Sequence, residues 1–559
     1  YDATLRTLQA VRADALMAGD ISTPESWAEV DELLNRFAAA GSARAQDYAV
    51  ITHIIVHNLY GVDIEKQATE IAKLRLFLKL VALLEPGDEI EPLPDIDFNI
   101  RHGNTLVGYA TADDTEKAVK GATQGNLFSD AWEDIRIRLV EVEQQYNNFQ
   151  IQQVQQGGHV SATDKQALGA ALSELEEMLN YHLAREYGVN TTKAKEFEAW
   201  KISHQPFHWY VDFYPLMAVG GFDAVVGNPP YVEYSKVRGL YQVKGLETLE
   251  SGNLYCYCIE RLSALCRDSS FSGLIVPIAI GSVSDTNILR KICSDLYGSL
   301  WSSHFAIRPA KLFDGVEQRL TILIGCHGPS DGNWYTSKYH QWFSEERSEL
   351  FSKIILVSMP PRLSEESPWP KIGSVTEARI LEKLRIFEGS PTHLLLTDSS
   401  KWVMYFHRTP GYWIRMLDFL PFFESPAGDR SVHHIRELYA TSEAARAEIA
   451  GLGSSSLYFW WFFAIGNCRN LTKGDLLGFP APRLDAGGAV EIVRIFNELM
   501  KSYKDNSSVK SRAKARYQEF DWVAAKPSVD AMDEFFAKVF GLTDEELDFV
   551  INYDIKVRV

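Results

Sequence analysis

The sequence has only six cysteines among 559 residues, and they follow neither a metal-binding nor a disulfide pattern. There is no C-x-x-C pair and no cysteine–histidine cluster at metal-ligand spacing. These absences argue against a zinc module and against a disulfide-stapled secreted domain. We expect reduced thiols, a cytoplasmic location and no metal site for the cysteines, which are Cys256, Cys258, Cys266, Cys293, Cys326 and Cys468.

Long apolar runs, signal sequences, internal repeats and low-complexity tracts are also missing. The longest apolar run, around Leu457 to Ile465, is about half of the roughly 18–20 residues that a membrane span requires. No signal peptide opens the chain, which starts at Tyr1 rather than Met, as a fragment or a processed chain would. We therefore expect no membrane association and no repeat architecture.

What the sequence does contain is ordinary globular composition, with 46% hydrophobic and 23% charged residues. The length suits roughly two to four domains. The net charge of −18 and the pI near 5.3 argue against a protein that is basic overall. Local positive faces can still hold a phosphate backbone, so nucleic acid stays a possible partner.

Hydrophobic patterning in the first half predicts alternating strands and helices. Leu59 to Val62 form a short buried strand ending at Asp63, and a well-buried helix follows that Pro86 and Gly87 stop. The segment DFNIRHGNTLVGY gives a second strand with Gly103 and Asn104 at its end. Polar helical runs from about 129 to 186, broken at Gly157, predict an inserted helical hairpin.

A third buried strand, Phe222 to Val226, runs into a loop forced by two prolines. A helix around 254–266 then leads into the strand GLIVPIAI, and LTILIG at 320–325 gives a further strand. This alternation predicts an α/β fold, a Rossmann-like doubly wound and mostly parallel sheet with a helical insertion. We expect this domain over 1–330, with the insertion at about 111–200, a mixed α/β second domain over 331–485 and a helical segment over 486–559.

The most informative motif is Asn228-Pro229-Pro230-Tyr231, directly after the third strand. An exocyclic aromatic amine is a poor nucleophile, because its lone pair is delocalised into the ring. An Asn side-chain oxygen and a backbone carbonyl beside rigid prolines can hold such an amine and accept its hydrogens. Tyr231 offers a flat surface on which an extruded base can stack. The alternative is that the two prolines simply terminate a strand.

This motif resembles that of the amino-methyltransferases with an N-P-P-Y loop, and in particular the large DNA adenine methyltransferases of type IIG restriction–modification enzymes and of phage-defence systems such as DISARM and BREX. The resemblance covers nearly the whole chain. It is carried by NLYGVDIEKQATEIAKLRL, PFHWYVDFYPLMAVGGFDAVVGNPPYV, GLIVP, GYWIR, GNCRNLTKGDLLGFP and ELDFVINYDIKVR.

The resemblance implies roles for several residues. Asn228 and the Pro229 carbonyl bond the adenine amine, Pro230 keeps the loop rigid, and Tyr231 stacks on the base. Asp63 binds the ribose hydroxyls of S-adenosyl-L-methionine and Asn104 contacts its adenine, although a helix-capping Asp and a turn Asn are the plain alternatives. Phe313 in KLFDGV is a candidate for the other face of the base, with core packing as its alternative.

One part of the family pattern is missing from this sequence. The family has a glycine-rich loop of the D-P-x-x-G-x-G kind before the strand that ends in the acid, and nothing before Asp63 resembles it. The Gly220-Gly221 pair lies on the wrong side of the insertion. We expect the loop upstream of Tyr1, and this chain alone to bind S-adenosyl-L-methionine poorly. No Pro-Asp is followed at short spacing by Glu-x-Lys, so no nuclease site is assigned.

Two polar patches in the second domain are candidates for target recognition, since they mix cations with aromatic rings. The basic run at 501–516 predicts a phosphate-contacting helix, or else a solvated charged face. We expect duplex DNA as partner, with other subunits of a restriction or defence complex left open. The candidate DNA-binding residues are Phe313, Arg408, Tyr412, Trp413, Arg415, Arg469 and Lys473.

The sequence therefore predicts a site-specific, adenine-specific DNA methyltransferase using S-adenosyl-L-methionine. Two alternatives remain open. N-P-P-Y loops also serve enzymes that methylate RNA amines or a glutamine amide in protein. A catalytically incomplete DNA-binding subunit of a defence complex would keep the fold and lack the glycine-rich loop.

Overall fold

A computed structural model describes residues 42–84, 94–121, 130–155, 161–329, 333–359, 367–387, 389–411, 413–425, 435–481, 483–512 and 515–558. The helical pattern DELLNRFAAA, and the Pro86 and Gly87 predicted to stop a helix, lie outside the described residues. Contacts divide the described residues into two compact units. Unit one lies within Tyr1–Phe222, Tyr234–Leu246 and Arg261–Arg267, and unit two within Asp223–Glu233, Glu247–Glu260 and Asp268–Val559.

Unit one begins with helix α1 (Ala43–His53), one π-helical turn (Ile54–Asn58), strand β1 (Gly61–Asp63) and helix α2 (Lys66–Val81). Strand β2 (Ile100–His102) pairs with β1 in parallel, with Asp63 opposite His102. The predicted strand–acid–helix order is confirmed. The prediction that α2 is well buried is wrong, because three of its leucine and isoleucine side chains, Ile71, Leu74 and Leu78, are each more than half exposed.

The predicted helical hairpin is present in unit one. After α3 (Ala112–Gly121) come α4 (Asp130–Gln155) and α5 (Ala162–Glu186), followed by α6 (Ala194–His204), α7 (Trp209–Asp212) and α8 (Tyr214–Met217). Leucines repeat every three to four residues on α5 and pack against α4, as a helical period requires. Those leucines are Leu168, Leu172, Leu175, Leu179 and Leu183.

Unit two is built around a six-stranded sheet with the strand order β3-β4-β6-β5-β7-β8. The strands are β3 (Phe222–Gly227), β4 (Cys266–Pro277), β5 (Tyr297–Phe305), β6 (Leu320–His327), β7 (Trp334–His340) and β8 (Val357–Ser358). Helix α9 (Leu254–Leu265) precedes β4, and helix α10 (Asn287–Leu296) precedes β5. The predicted boundary at 330 falls inside this sheet.

The expectation of a mostly parallel sheet is wrong for unit two. Strand β6 runs antiparallel to both β4 and β5, and β8 runs antiparallel to β7, while β5 and β7 are parallel. Strands β5 and β6 follow each other in the chain and are joined by a loop that contains no helix, which is usual for antiparallel neighbours, whereas parallel neighbours are usually joined through a helix. The sheet is therefore mixed.

Strand β3 is less buried than its apolar sequence predicts. Asp223, Ala224 and Val226 are exposed, and the side chain of Val226 is 86% exposed. Gly221, just before the strand, has φ +104, and a Cβ there would lie 2.2 Å from the Leu265 carbonyl oxygen, so only glycine fits. The chain thus enters β3 through a fixed turn and leaves it through the two prolines.

The rest of unit two surrounds a second, aromatic-rich core. A four-stranded sheet of order β11-β10-β13-β9 contains β9 (Leu395–Leu396), β10 (Val403–His407), β11 (Met416–Leu417) and β13 (Ile435–Ala440). Helices α11 (Val375–Arg385), α12 (Glu443–Ser454), α13 (Ser456–Ile465) and α14 (Lys473–Leu477) pack around it. Nine of the ten side chains of α13 are buried, which explains its uninterrupted apolar sequence.

The C-terminal part is helical except for one hairpin. It contains α15 (Ala486–Asp505), α16 (Trp522–Phe540), α17 (Asp544–Ile551) and α18 (Ile555–Arg558). Strands β14 (Ser507–Arg512) and β15 (Ala515–Phe520) form an antiparallel pair that β12 (Phe423–Glu424) extends. The predicted helix over 501–516 is therefore wrong beyond Asp505, because the run Asn506-Ser507-Ser508-Val509 favours extended backbone over helix.

Candidate functional site

The N-P-P-Y loop follows β3 directly, as the sequence predicts. The Asn228 side chain is exposed, Pro229 is half-buried and Pro230 is exposed. Beyond the prolines, the Val232 carbonyl accepts a hydrogen bond from the Leu254 amide at 3.1 Å, which ties the loop to the start of α9. The loop is thus fixed at both ends and leaves the Asn228 amide accessible to a ligand.

Tyr231 is held over the end of the sheet by its hydroxyl group. The hydroxyl lies 2.5 Å from Asn228 Oδ1 and 2.9 Å from the carbonyl oxygen of Ile275 on β4. Burial raises the pKa of Tyr231 to about 12, so the phenol stays protonated at neutral pH and acts as a donor. The contact with the Ile275 carbonyl could not be predicted from the sequence, because any residue type has a backbone carbonyl.

Phe313 lies beside the same hydrophobic cluster as Tyr231. Both rings are partly buried and pack against one group of buried side chains, although their positions in the sequence are far apart. The structure therefore packs Phe313 and Tyr231 of the N-P-P-Y loop against one group of buried side chains. The shared cluster consists of Phe305, Ala310, Leu312, Leu320, Trp342 and Leu350.

Asp63 and Asn104 lie in unit one, at the carboxyl ends of the paired strands β1 and β2. Asp63 is exposed, and its Oδ1 accepts the amide of Glu65 at 2.8 Å. The Asp63 carbonyl accepts the amide of Gly103 at 2.9 Å. This is a turn bond before α2, whose N-cap residue is Glu65 and has no side-chain cap bond. The exposed carboxylate can also receive hydroxyl donors.

Asn104 is buried, with 3% of its surface exposed. Its side-chain Oδ1 accepts a hydrogen bond from the backbone amide of Leu106 at 3.1 Å, as expected for a turn residue. Its backbone amide donates to the backbone carbonyl of Gln205 at 2.7 Å. Its Nδ2 has no hydrogen-bond partner among the described residues. Because a buried unpaired donor is costly, the side chain fits a site that receives an acceptor atom from a ligand.

The two predicted polar patches of the second domain meet in the structure. The Leu471 amide donates to the Arg408 carbonyl at 2.6 Å, and the Thr409 hydroxyl donates to Asn470 Oδ1 at 3.3 Å. This contact gathers three exposed cationic side chains from two separate segments, namely Arg408, Arg469 and Lys473. Three exposed cations on one face match the charge of a phosphate backbone.

The other candidates in this region are packed differently. Tyr412 lies outside the described residues. The Trp413 ring lies against Trp522, with ring centroids 3.2 Å apart, and the Arg415 guanidinium lies 5.1 Å from the centre of the Phe520 ring. Burial lowers the pKa of Arg415. Both side chains are thus partly buried against aromatic rings of the protein.

No group of three or more His, Cys, Asp or Glu side chains among the described residues is placed to hold a metal ion. No helix in the described ranges is both long enough and apolar enough to cross a membrane.

The N-P-P-Y loop lies within the part of the chain that matches a known protein family. Residues 57–297 match the model of a family described as Eco57I restriction-modification methylase. A putative type II restriction enzyme and methyltransferase from Methanocaldococcus jannaschii is 26% identical over an alignment of 314 residues, and the alignment covers 48% of this chain and 26% of that protein. The chain thus spans about a quarter of that relative. Both the family and the relative are described as methylases or methyltransferases of restriction systems.

Solved structures of restriction enzymes are more distant. The type IIL restriction-modification enzyme MmeI in complex with DNA aligns over 94% of this chain and 76% of its own, with 12% identity and a TM-score of 0.37. A nuclease-deletion mutant of the type ISP enzyme LlaGI with a DNA substrate mimic aligns over 90% and 68%, with 10% identity and a TM-score of 0.33.

Proposed function

We propose that this chain is the catalytic and target-recognition part of a site-specific DNA adenine-N6 methyltransferase of a restriction–modification or phage-defence system. The observation that carries the proposal is the N-P-P-Y loop at the end of β3, with Tyr231 and Phe313 against one cluster and Asn228 exposed. The match of residues 57–297 to a restriction-modification methylase family supports it.

Asn228 and Pro229 hold the reacting amine in this proposal. Asn228 Oδ1 and the Pro229 carbonyl accept the two N6 hydrogens, which turns the nitrogen lone pair toward the methyl group and stabilises the positive charge that develops on N6. The prolines keep the carbonyl fixed, since their φ angles are locked. Tyr231 and Phe313 hold the extruded base through its two faces.

S-adenosyl-L-methionine supplies the methyl group: N6 forms the new C–N bond, the electron pair of the broken C–S bond stays on sulfur, and N6 loses a proton to solvent. In this chain, Asp63 and Asn104 fit its adenosine part, because Asp63 is an exposed acceptor and Asn104 keeps an unpaired buried donor. The sequence contains no D-P-x-x-G-x-G loop for the methionine part.

Arg408, Arg469 and Lys473 contact the phosphate backbone in this proposal, because they are exposed on one face of unit two. Phosphate contacts position the duplex and carry no sequence information by themselves. Base readout is therefore assigned to neighbouring residues of the same face.

Mapping of methylated adenines tests the proposal. The chain, joined to a segment that carries a D-P-x-x-G-x-G loop, is expressed in a bacterial host that lacks adenine methylases. The host DNA is then sequenced by a method that detects N6-methyladenine. We expect methylation at one short sequence, and none with Asn228→Ala. Unmethylated DNA together with intact DNA binding by the purified chain favours the alternative of a catalytically incomplete DNA-binding subunit.

A further inference from the structure

A cleft of about 570 Å³ opens in unit one at the carboxyl end of β2. His102 and Gly103 line it from the strand, Gln205 and Pro206 line it from the chain after α6, and side chains of α5 and α6 close the other side. Asn104 lies directly beside this lining, since it follows Gly103 and forms a parallel bridge with Pro206. The cleft therefore adjoins the unpaired donor of Asn104.

Gln205 has an unusual backbone conformation for its residue type. It ends α6 with φ 47 and ψ 54, in the left-handed region that glycine normally occupies at this position. Its carbonyl accepts the Asn104 amide at 2.7 Å, so the two residues are fixed to each other. A glutamine in a strained position points to a use for its side chain.

The Gln205 side chain carries a hydrogen-bond acceptor that no described residue satisfies. Its Oε1 is buried and has no donor among the described residues. Asn104 Nδ2, on the neighbouring backbone, is a buried donor that likewise lacks a partner within the described ranges. Gln205 Oε1 can accept a hydrogen bond and Asn104 Nδ2 can donate one, and both lie beside the same cleft. They therefore suit a ligand that has a hydrogen-bond donor next to an acceptor.

We propose that Gln205 is a specificity-determining residue of the cofactor site, where its Oε1 accepts a hydrogen from the adenine amine while Asn104 Nδ2 donates to the adjacent ring nitrogen. This inference rests on the proposed function, which supplies an adenosine-containing cofactor. Adenine presents an amine beside a ring-nitrogen acceptor. Hypoxanthine replaces the amine with an oxygen, so it leaves Gln205 without a donor.

The test compares S-adenosylhomocysteine with S-inosylhomocysteine, which differ only in the base. Each is titrated calorimetrically into the full chain and into Gln205→Met, Gln205→Glu and Gln205→Gly. Methionine keeps the length of the side chain and removes the acceptor, and glutamate keeps an acceptor oxygen. Glycine suits the backbone angle, so it removes the side chain without strain and controls for folding.

We expect the wild-type chain to prefer the adenosyl compound by roughly tenfold, the effect of about one hydrogen bond. Gln205→Met and Gln205→Gly bring the ratio of the two affinities near one, with unchanged or higher melting temperature, and Gln205→Glu keeps the preference. Equal binding of both compounds by wild type, or a preference that survives in Gln205→Met, overturns this inference alone. A wild-type chain that binds neither compound even at millimolar concentration overturns the proposed cofactor site as well.

Discussion

The hydroxyl of Tyr231 lies 2.5 Å from Oδ1 of Asn228, so the oxygen proposed to hold the target amine has a protein donor in this structure. The same hydroxyl lies 2.9 Å from the Ile275 carbonyl. Because a phenol has one proton to donate, it can turn from Asn228 to Ile275 and still be bonded. An adenine amine can therefore take its place at Asn228 without leaving the tyrosine unpaired.

Asn228→Ala is expected to lower methyl transfer by about 10²–10³-fold, because it removes an acceptor that acts on charge developing in the transition state. The unfolding free energy should change by less than about 0.5 kcal/mol, since the side chain is exposed in a loop. Single-turnover transfer and thermal melting check both statements. Asn228→Asp, which keeps an Oδ oxygen, serves as the matched control. Wild-type transfer by the alanine variant contradicts the mechanism.

Tyr231→Phe and Tyr231→Ala separate the hydroxyl from the ring. The phenylalanine variant keeps the stacking surface, so we expect transfer within about tenfold of wild type. The alanine variant also loses base stacking, worth about 1–3 kcal/mol per base. Fluorescence of 2-aminopurine at the target position reports base extrusion and should fall only in Tyr231→Ala. If both variants are equally defective, the stacking role is wrong.

The cationic face of unit two is tested by the salt dependence of DNA binding. Replacing Arg408, Arg469 or Lys473 singly by glutamine should lower the slope of log K against log salt by about 0.9 for each lost phosphate contact. Affinity should fall by the same factor for all DNA sequences. Lys117→Gln, an exposed cation of α3 in unit one, is the matched control. If the slope is unchanged in all three variants, these three residues do not contact the DNA phosphates.

Asp533 gives unit two a predicted pH dependence. Its buried Oδ1 accepts the amides of Ser456 at 2.7 Å and Leu457 at 3.3 Å, at the start of α13. Burial raises the pKa of this carboxyl from about 3.8 to about 7. The folded state therefore binds the proton more tightly than the unfolded state, so its stability contribution is complete below about pH 4 and lost as pH rises to about 7.

This difference in pKa lowers the free energy of unfolding by about 4 kcal/mol as the pH rises from about 4 to about 7. Asp533→Asn keeps an oxygen acceptor and cannot ionise. We expect its melting temperature, relative to wild type, to be higher at pH 8 than at pH 5. If the melting temperatures of the variant and wild type differ by the same amount at both pH values, Asp533 does not ionise across this range.

The sequence predicted the order of the elements better than their burial. Apolar spacing identifies α2, but burial depends on what packs against the helix, and Ile71, Leu74 and Leu78 are exposed. The strand before Asn228 was predicted for the same reason and is also partly exposed. Parallel or antiparallel pairing of β6 depends on neighbours that are distant in sequence, which hydrophobic patterning does not encode.

The candidate site was predicted in its residue types and only partly in its contacts. N-P-P-Y after a strand is a local pattern, so its position could be read directly. The packing of Phe313 and Tyr231 on one cluster, and the meeting of Arg408 with the segment of Arg469, depend on tertiary structure. Gln205 could not be found, because its backbone angle and unpaired oxygen have no sequence signature.

The most direct test of the central claim is to join the chain to a segment that carries a D-P-x-x-G-x-G loop, to incubate it with tritiated S-adenosyl-L-methionine and duplex DNA, and to identify the labelled nucleoside. Parallel reactions contain RNA of the same sequence and Asn228→Ala. The account predicts label in N6-methyldeoxyadenosine, none in RNA, and a loss of at least about a hundredfold with Asn228→Ala. No label in DNA, or label in another base or in RNA, contradicts it.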